Sequence, residues 1–247
     1  VGDALATSIK DGVAVLTLNR SAARNALNAQ LLDRLEQALA SLANDHAIRV
    51  VVFRGHGTFF CAGGDLKERA ALALRGGHDS LEVRSQREGE LLVAIERQPQ
   101  LTLAAVNGGA MGAGLGIVCA CDLAITAGNA LFQAPEVLTG AMPAQIAPLL
   151  IKCVGWRHAR RLLLSGERID ANEAHRIGLV HQVIAEGSDL EGAIEKRLAE
   201  LATCDAAAVR GMKALLDHIK PSDRSYPAYA AETYIAELSQ RKSSRQY

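Results

Sequence analysis

Apolar residues fall along this chain in more than one rhythm. From Val13 to Leu18 they alternate well enough for a strand, and Thr7 to Ile9 can pair with it across Asp11-Gly12 as a hairpin. Leu31, Leu32, Leu35, Leu39 and Leu42 recur at helical spacing, with Asn28 placed to cap the helix they define. Ile48 to Phe53 is a β-branched run, the mark of a strand buried on both faces of a parallel sheet, and Gly55-His56-Gly57 ends it. A helix from about Leu81 to Glu96 leads into a second short apolar run, Leu101 to Val106, and Asp122 to Thr126 reads as the next strand. This order predicts an α/β domain with a parallel sheet. Beyond about Pro143 the pattern turns helical, over Ala144 to Val154, Arg157 to Leu164, Asp170 to Arg176, Leu190 to Leu201, Ala206 to Ile219 and Tyr226 to Arg241. Only Leu179 to Ile184 interrupts it, as a short strand.

One stretch departs from these rhythms. Between Arg97 and Asp122 there is no charged residue. Asn107-Gly108-Gly109 breaks the Leu101 strand, and Ala110 to Cys121 is an apolar segment of helix length containing Gly112, Gly114 and Gly116. Glycines there let another chain or a substrate approach the backbone, and the start of the helix offers unpaired N–H donors at the positive end of its dipole. Three other readings stay open on these residues alone. A membrane span has the length but too many glycines. A dinucleotide-binding turn is a weak match, because Gly116 falls one place early. A buried strand and helix with no ligand fits the composition.

The composition narrows the choice. The chain has 247 residues, 49% hydrophobic and 22% charged, with ample material for a core. Lys plus Arg equals Asp plus Glu, so no overall field draws it to nucleic acid or a membrane surface, and 4% aromatics argues against base stacking. Five cysteines, an odd number without CxxC spacing, and the lack of a basic, apolar leader point to reduced thiols in the cytoplasm. The seven histidines show no zinc-ligand spacing, so no metal site is expected. Ala- and Leu-rich helices late in the chain suggest an oligomer.

A second glycine pair stands at Phe59-Phe60-Cys61-Ala62-Gly63-Gly64-Asp65-Leu66-Lys67, after the Ile48 strand, as the first glycine-rich turn follows the Leu101 strand. Two parallel strands end on the same sheet edge, where ligands bind. One N–H from each turn could converge on a single oxygen, the geometry of an oxyanion hole.

With these residues in view, the chain resembles the crotonase superfamily, the enoyl-CoA hydratase/isomerase family, over nearly its whole length. The resemblance is carried by Arg24-Asn25-Ala26-Leu27-Asn28, Phe60 to Lys67, Ala105-Val106-Asn107-Gly108 with Met111 to Gly114, Cys121-Asp122, Pro135-Glu136-Val137 with Gly140, and Ile169 to Ala174 with Gly178-Leu179-Val180. It implies a core of repeated ββα turns over residues 1–190, a helical trimerisation region over residues 191–247, and an acyl-CoA thioester as substrate. The assembly would be a homotrimer or hexamer, with no cofactor beyond the coenzyme A of the substrate. By position, Gly64 and Ala113 would donate the oxyanion N–H groups, and Glu136 would be the acid/base. Ala62, Asp65, Leu66 and Lys67 would line the CoA and acyl path, and Arg24 and Ala26 would meet the phosphate and adenine end. The two-acid hydratases of the family carry a second Glu three residues past the second oxyanion donor, where this chain has Gly116. Gly116 would instead open room for a bulky β-substituent.

With one carboxylate, the resemblance implies a hydratase acting on a 2-enoyl-CoA. Met142-Pro143-Ala144-Gln145-Ile146-Ala147-Pro148 resembles the branch for glutaconyl-type substrates, 3-methylglutaconyl-CoA or isohexenylglutaconyl-CoA of leucine and terpene breakdown. A Δ3,Δ2-enoyl-CoA isomerase needs one Glu only and is the alternative. A non-catalytic acyl-CoA binder or RNA-binding relative is a third.

Overall fold

The computed structural model describes residues 3–219, and the helix expected over Tyr226 to Arg241 lies outside them. Its main sheet has six strands in the order β1-β2-β3-β4-β6-β9. β1 (Leu5–Lys10) and β2 (Val13–Leu18) form the expected hairpin, and β3 (Val50–Gly55), β4 (Leu101–Val106), β6 (Leu123–Ala127) and β9 (Gln182–Ile184) follow in parallel. Alternate residues of these strands serve two cores. Leu16, Leu18, Val51, Phe53, Ala104 and Val106 face α1 (Ala29–Ala43) and the other helices of the larger core. Val50, Val52, Leu103, Ala105 and Ile125 face the opposite way, against Leu190, Ile194, Leu198 and Leu201 of α6 (Leu190–Leu201). The boundary expected at residue 190 thus meets a helix that seals the second face of the sheet. α7 (Ala206–Ile219) follows it, tied to the body where Arg210 reaches the Asp45 and Ile48 carbonyls.

α1 forms as its leucine spacing predicts, and all five leucines are buried. The Asn28 side chain caps it by accepting from the Leu31 N–H.

α2 runs over Leu66–Glu96, so helix begins well before Leu81. Asp65 caps it, accepting from the Lys67 and Glu68 N–H groups. The signal was in the sequence, since Asp65-Leu66-Lys67-Glu68 has capping-box spacing. α2 is bent. A straight helix would hold residues 68 and 84 about 24 Å apart at its 1.5 Å rise per residue, yet Arg84 donates to Glu68 at 2.8 Å.

The charge-free stretch also differs from its apolar pattern. Ala110–Met111 is not helix but β5, which pairs with β7 (Leu131–Gln133), itself antiparallel to β8 (Arg168–Asp170). These short strands make a second, three-stranded sheet. α3 starts only at Ala113 and runs to Ala120. The two helices expected around Val154 and Arg157 are arms of α4 (Ala147–Ser165), separated where Gly155 takes φ 70° and ψ 166°. α5 (Ala171–Arg176) is capped by Asp170 and packs beside β9.

Candidate active site

The two glycine-rich turns after β3 and β4 are stitched together. Cys61 pairs with Ala110 as a parallel bridge, with N–H···O contacts of 3.1 Å from Cys61 to Gly109 and 2.9 Å from Met111 to Cys61. Leu27 bridges to Gly64 in the same way. The closeness leaves no space for side chains. A Cβ on Gly114 would meet the Cys61 carbonyl at 2.3 Å, and one on Gly63 would stand 3.2 Å from the Ala113 nitrogen. The Cys61 thiol, pushed up to about 12 by burial, stays protonated as packing.

This stitching sets the Gly63-Gly64 turn against Gly112-Ala113, although Gly64 lines one cavity and Ala113 another. Ala113 opens α3, so its N–H belongs to the first turn that has no partner inside the helix. Among the described residues neither the Gly64 nor the Ala113 N–H meets a backbone acceptor, whereas Gly112 N–H is taken by the Gln133 carbonyl. Two such donors beside each other can hold an oxygen that gains negative charge.

Asn25 ties the turn before α1 to the residues after β3. It is fully buried, accepts from Arg20 N–H and donates to the His56 and Phe59 carbonyls. Arg24 and Asn25 both take left-handed backbone conformations, at φ 49° and 55°. The turn they form places the Arg24 guanidinium over the Phe59 ring, 5.7 Å from its centre.

Gly64 and six more of the expected site residues, Arg24, Ala26, Ala62, Asp65, Leu66 and Lys67, line one cavity of about 630 Å³. Asp65 has structural work there. It caps α2 and pairs with Arg20 at 3.0 Å. Burial pushes its carboxyl up, but the Glu68 and Lys67 N–H groups and Arg20 outweigh that and hold it below the usual aspartate value. Arg24 and Lys67 make no ion pair among the described residues, and both are exposed at the cavity rim.

Glu136 and Ala113 line a second, much smaller chamber of about 30 Å³, enough for a water molecule. Glu136 sits in a 3-10 turn, Pro135–Thr139, that follows β7. Its carboxylate lies over Gly112, where a Cβ would meet Oε1 at 2.7 Å. Gly112 itself has φ 51° and ψ −122°, which an L side chain rarely adopts. Glu136 Oε2 is buried and accepts no hydrogen bond. Leaving such an atom orphaned costs about 1–3 kcal/mol, which a fold tolerates where a ligand completes it. Burial raises the Glu136 carboxyl above the usual glutamate value. Its own N–H and Arg69 pull it back, and Glu88 adds to the rise.

Gly116 lines neither cavity. A Cβ there would meet Ile146 and Leu92 side chains, each at 2.8 Å, so the room expected beside it is already filled. The other wall of the chamber comes from α2, through Arg69, Ser85 and Glu88, and from Met142 to Ile146. These α2 residues gave no signal in the sequence, because a charged helix reads as a solvated face. All five cysteines are free. No helix among the described residues is long and apolar enough to cross a membrane.

Comparison with known proteins agrees with this architecture. Residues 8–246 match the family described as enoyl-CoA hydratase/isomerase. The chain is 38% identical over 192 residues to the 2,3-dehydroadipyl-CoA hydratase of Escherichia coli (strain K12), covering 77% of this chain and 73% of that protein. Among solved structures, Pseudomonas aeruginosa AtuE superposes with a TM-score of 0.85 at 35% identity, over 96% of this chain and 92% of its own. An enoyl-CoA hydratase/isomerase from Marinobacter aquaeolei gives 0.84 at 34% identity, over the same shares.

Proposed function

Because the chain belongs to the enoyl-CoA hydratase/isomerase family, we propose that it adds water across the double bond of a 2-enoyl-CoA thioester carrying a second, distal carboxylate of the glutaconyl type. The observation that carries this reading is the buried Glu136 carboxylate, one oxygen without a partner, in a water-sized chamber that it shares with Ala113.

In this reading the CoA moiety lies in the wider cavity, its phosphates against Arg24 and Lys67, with Ala26, Ala62, Asp65 and Leu66 along its path. The thioester oxygen receives the Gly64 and Ala113 N–H groups. They draw electron density from the conjugated double bond, so Cβ becomes electrophilic and the negative charge gathers in the hole. Glu136 exchanges the proton at the reacting carbons, and the upward shift that burial gives its carboxyl suits it to hold a proton for transfer. No metal or redox group is asked for. The preference for a second carboxylate is supported by Arg69, a cation lining the same chamber, and by the dicarboxylate thioester in the name of the Escherichia coli relative.

The test offers crotonyl-, 2,3-dehydroadipyl-, 3-methylglutaconyl-, isohexenylglutaconyl- and 3-enoyl-CoA and follows the conjugated-thioester absorbance with mass analysis. Loss of conjugation with a gain of one water on a carboxylated substrate is the expected result. Gain of conjugation from the 3-enoyl substrate without hydration would replace this reading by the isomerase. Arg69→Met should raise KM for the carboxylated substrates ~10–100-fold, the scale of a lost charged hydrogen bond, and raise KM for crotonyl-CoA far less. We propose a trimer or hexamer in the cytoplasm. Exposed Leu138, Trp156 and Leu164 support the oligomer, and light scattering checks it.

A further inference from the structure

Adding water to a double bond places two demands on a site at once. One group must take a proton from the water as its oxygen bonds to Cβ, and another must deliver a proton to Cα. A single carboxylate can do both only in sequence. The space above Gly116 cannot hold a second one, because Leu92 and Ile146 fill it. Leu92 belongs to α2, and one helical turn before it on the same face stands Glu88.

Glu88 is the unusual residue of this helix. It is 5% exposed, although its neighbours in sequence include Arg87, which faces Asp33 and Glu36, and exposed Glu90. Its carboxylate reaches the wall of the Glu136 chamber. Oε1 lies 3.0 Å from where a Cβ on Gly64 would stand, directly beside the first oxyanion donor. Glu136 lies against Gly112, beside the second. The two carboxylates therefore flank the donor pair from opposite turns, with the water-sized chamber between them. Glu88 is also held in position. Arg84, 4% exposed, donates to it through Nε at 3.0 Å and is itself fixed by Glu68 at 2.8 Å and by the Leu27 carbonyl at 2.5 Å. Arg69 approaches its other oxygen at 3.7 Å. These guanidinium groups fix where the carboxylate points.

We propose that Glu88 is the second catalytic carboxylate of this site, supplied by the bent helix α2 in place of an acid on α3. The inference rests on the hydratase reading above. Glu88 takes a proton from the chamber water as the water oxygen bonds to Cβ. The π electrons pass to the thioester oxygen between Gly64 and Ala113. As that enolate collapses, Glu136, which enters the step protonated, gives its proton to Cα. The product has gained one water, and a proton passing from Glu88 to Glu136 through solvent resets the pair. Burial of Glu136, with Glu88 facing it, favours the protonated start that this division needs.

The experiment compares hydration of a 2-enoyl-CoA with solvent deuterium exchange at Cα of the matching saturated acyl-CoA, which needs Glu136 and the oxyanion donors but no attacking water. Glu88→Gln keeps an acceptor for Arg84 and should lower hydration kcat by ~10²–10⁴ while exchange stays within about threefold. Glu136→Gln should lose both. Hydration retained in Glu88→Gln, or hydration and exchange lost together in a variant with native circular dichroism, would overturn the proposal. Should Glu88→Gln not fold, the unaltered protein still decides. Its kcat/KM should be bell-shaped with pH for hydration and one-sided for exchange, and matching profiles sink the idea. If the unaltered protein hydrates none of the offered thioesters, the functional reading itself falls, and this inference with it.

Discussion

The cavity rimmed by Arg24 and Lys67 takes Gly64 into its wall and the chamber under Glu136 takes Ala113, and the two differ in size and in charge. One measures about 630 Å³ and has cations at an exposed rim, and the other about 30 Å³ with half-buried Glu136 and buried Glu88 on its wall. A chain whose charges cancel overall has sorted them locally. In the wide cavity, charge in high dielectric can only attract and position. In the chamber, burial changes the protonation of the group it surrounds. The difference teaches that recognition and chemistry are separable here, and substitutions on the two sides should separate them too.

The largest effect belongs to the chamber. Glu136→Gln should lower kcat by ~10²–10⁴ with little change in KM, the scale of a lost acid/base, and unchanged turnover in a steady-state assay would remove Glu136 from the chemistry. Next comes Gly112→Ala. Its Cβ would press on Glu136 Oε1 at 2.7 Å from a backbone conformation that strains any side chain. Displacing the carboxylate by about 1 Å should cost ~10²-fold in kcat, measured beside a binding titration with an acyl-CoA that stays nearly normal. On the other side, Arg24→Ala should raise KM for CoA thioesters by roughly tenfold, the scale of one charged contact at an exposed site. A pantetheine thioester, which lacks the nucleotide phosphates, should not register the change, and equal losses on both substrates would refute the assignment. The smallest effect is on stability. Because the folded pKa of Glu136 is raised, the fold binds its proton more tightly than the unfolded chain does, and stability is lost as pH rises through that pKa. Glu136→Gln should therefore raise the melting temperature modestly at neutral pH and not at all below the ordinary glutamate range. An equal gain at both pH values would contradict the cause given for the shift.

The two regions were also unequally legible in the sequence. The wide cavity is built from residues on contiguous motifs, Arg24 to Asn28 and Ala62 to Lys67, which the family resemblance singles out and which taken alone read as solvated surface. The leucines of α1 and the strand runs were plain, because burial on one face or both leaves a period. The chamber was half legible. Glu136 is marked by the resemblance alone, β7 and β8 are three residues long, too short for any period, and Ala110-Met111 carries no period that tells strand from helix. Arg69, Arg84 and Glu88 were invisible for a different reason. Their positions depend on the bend of α2, which joins residues 16 apart at Arg84 and Glu68, and a charged helix gives no sign of which charges it turns inward. The glycines of the charge-free stretch were expected to admit a ligand. Gly114 and Gly116 instead admit Cys61, Leu92 and Ile146.

The bridges of Leu27 to Gly64 and of Cys61 to Ala110 carry a consequence for how the protein comes to be active. Each joins segments far apart along the chain. Loop-closure entropy must be overcome before such contacts reward it. Helical signal should thus return on refolding before catalytic competence does, and turnover, followed in time, becomes a clock for the last contacts the chain makes.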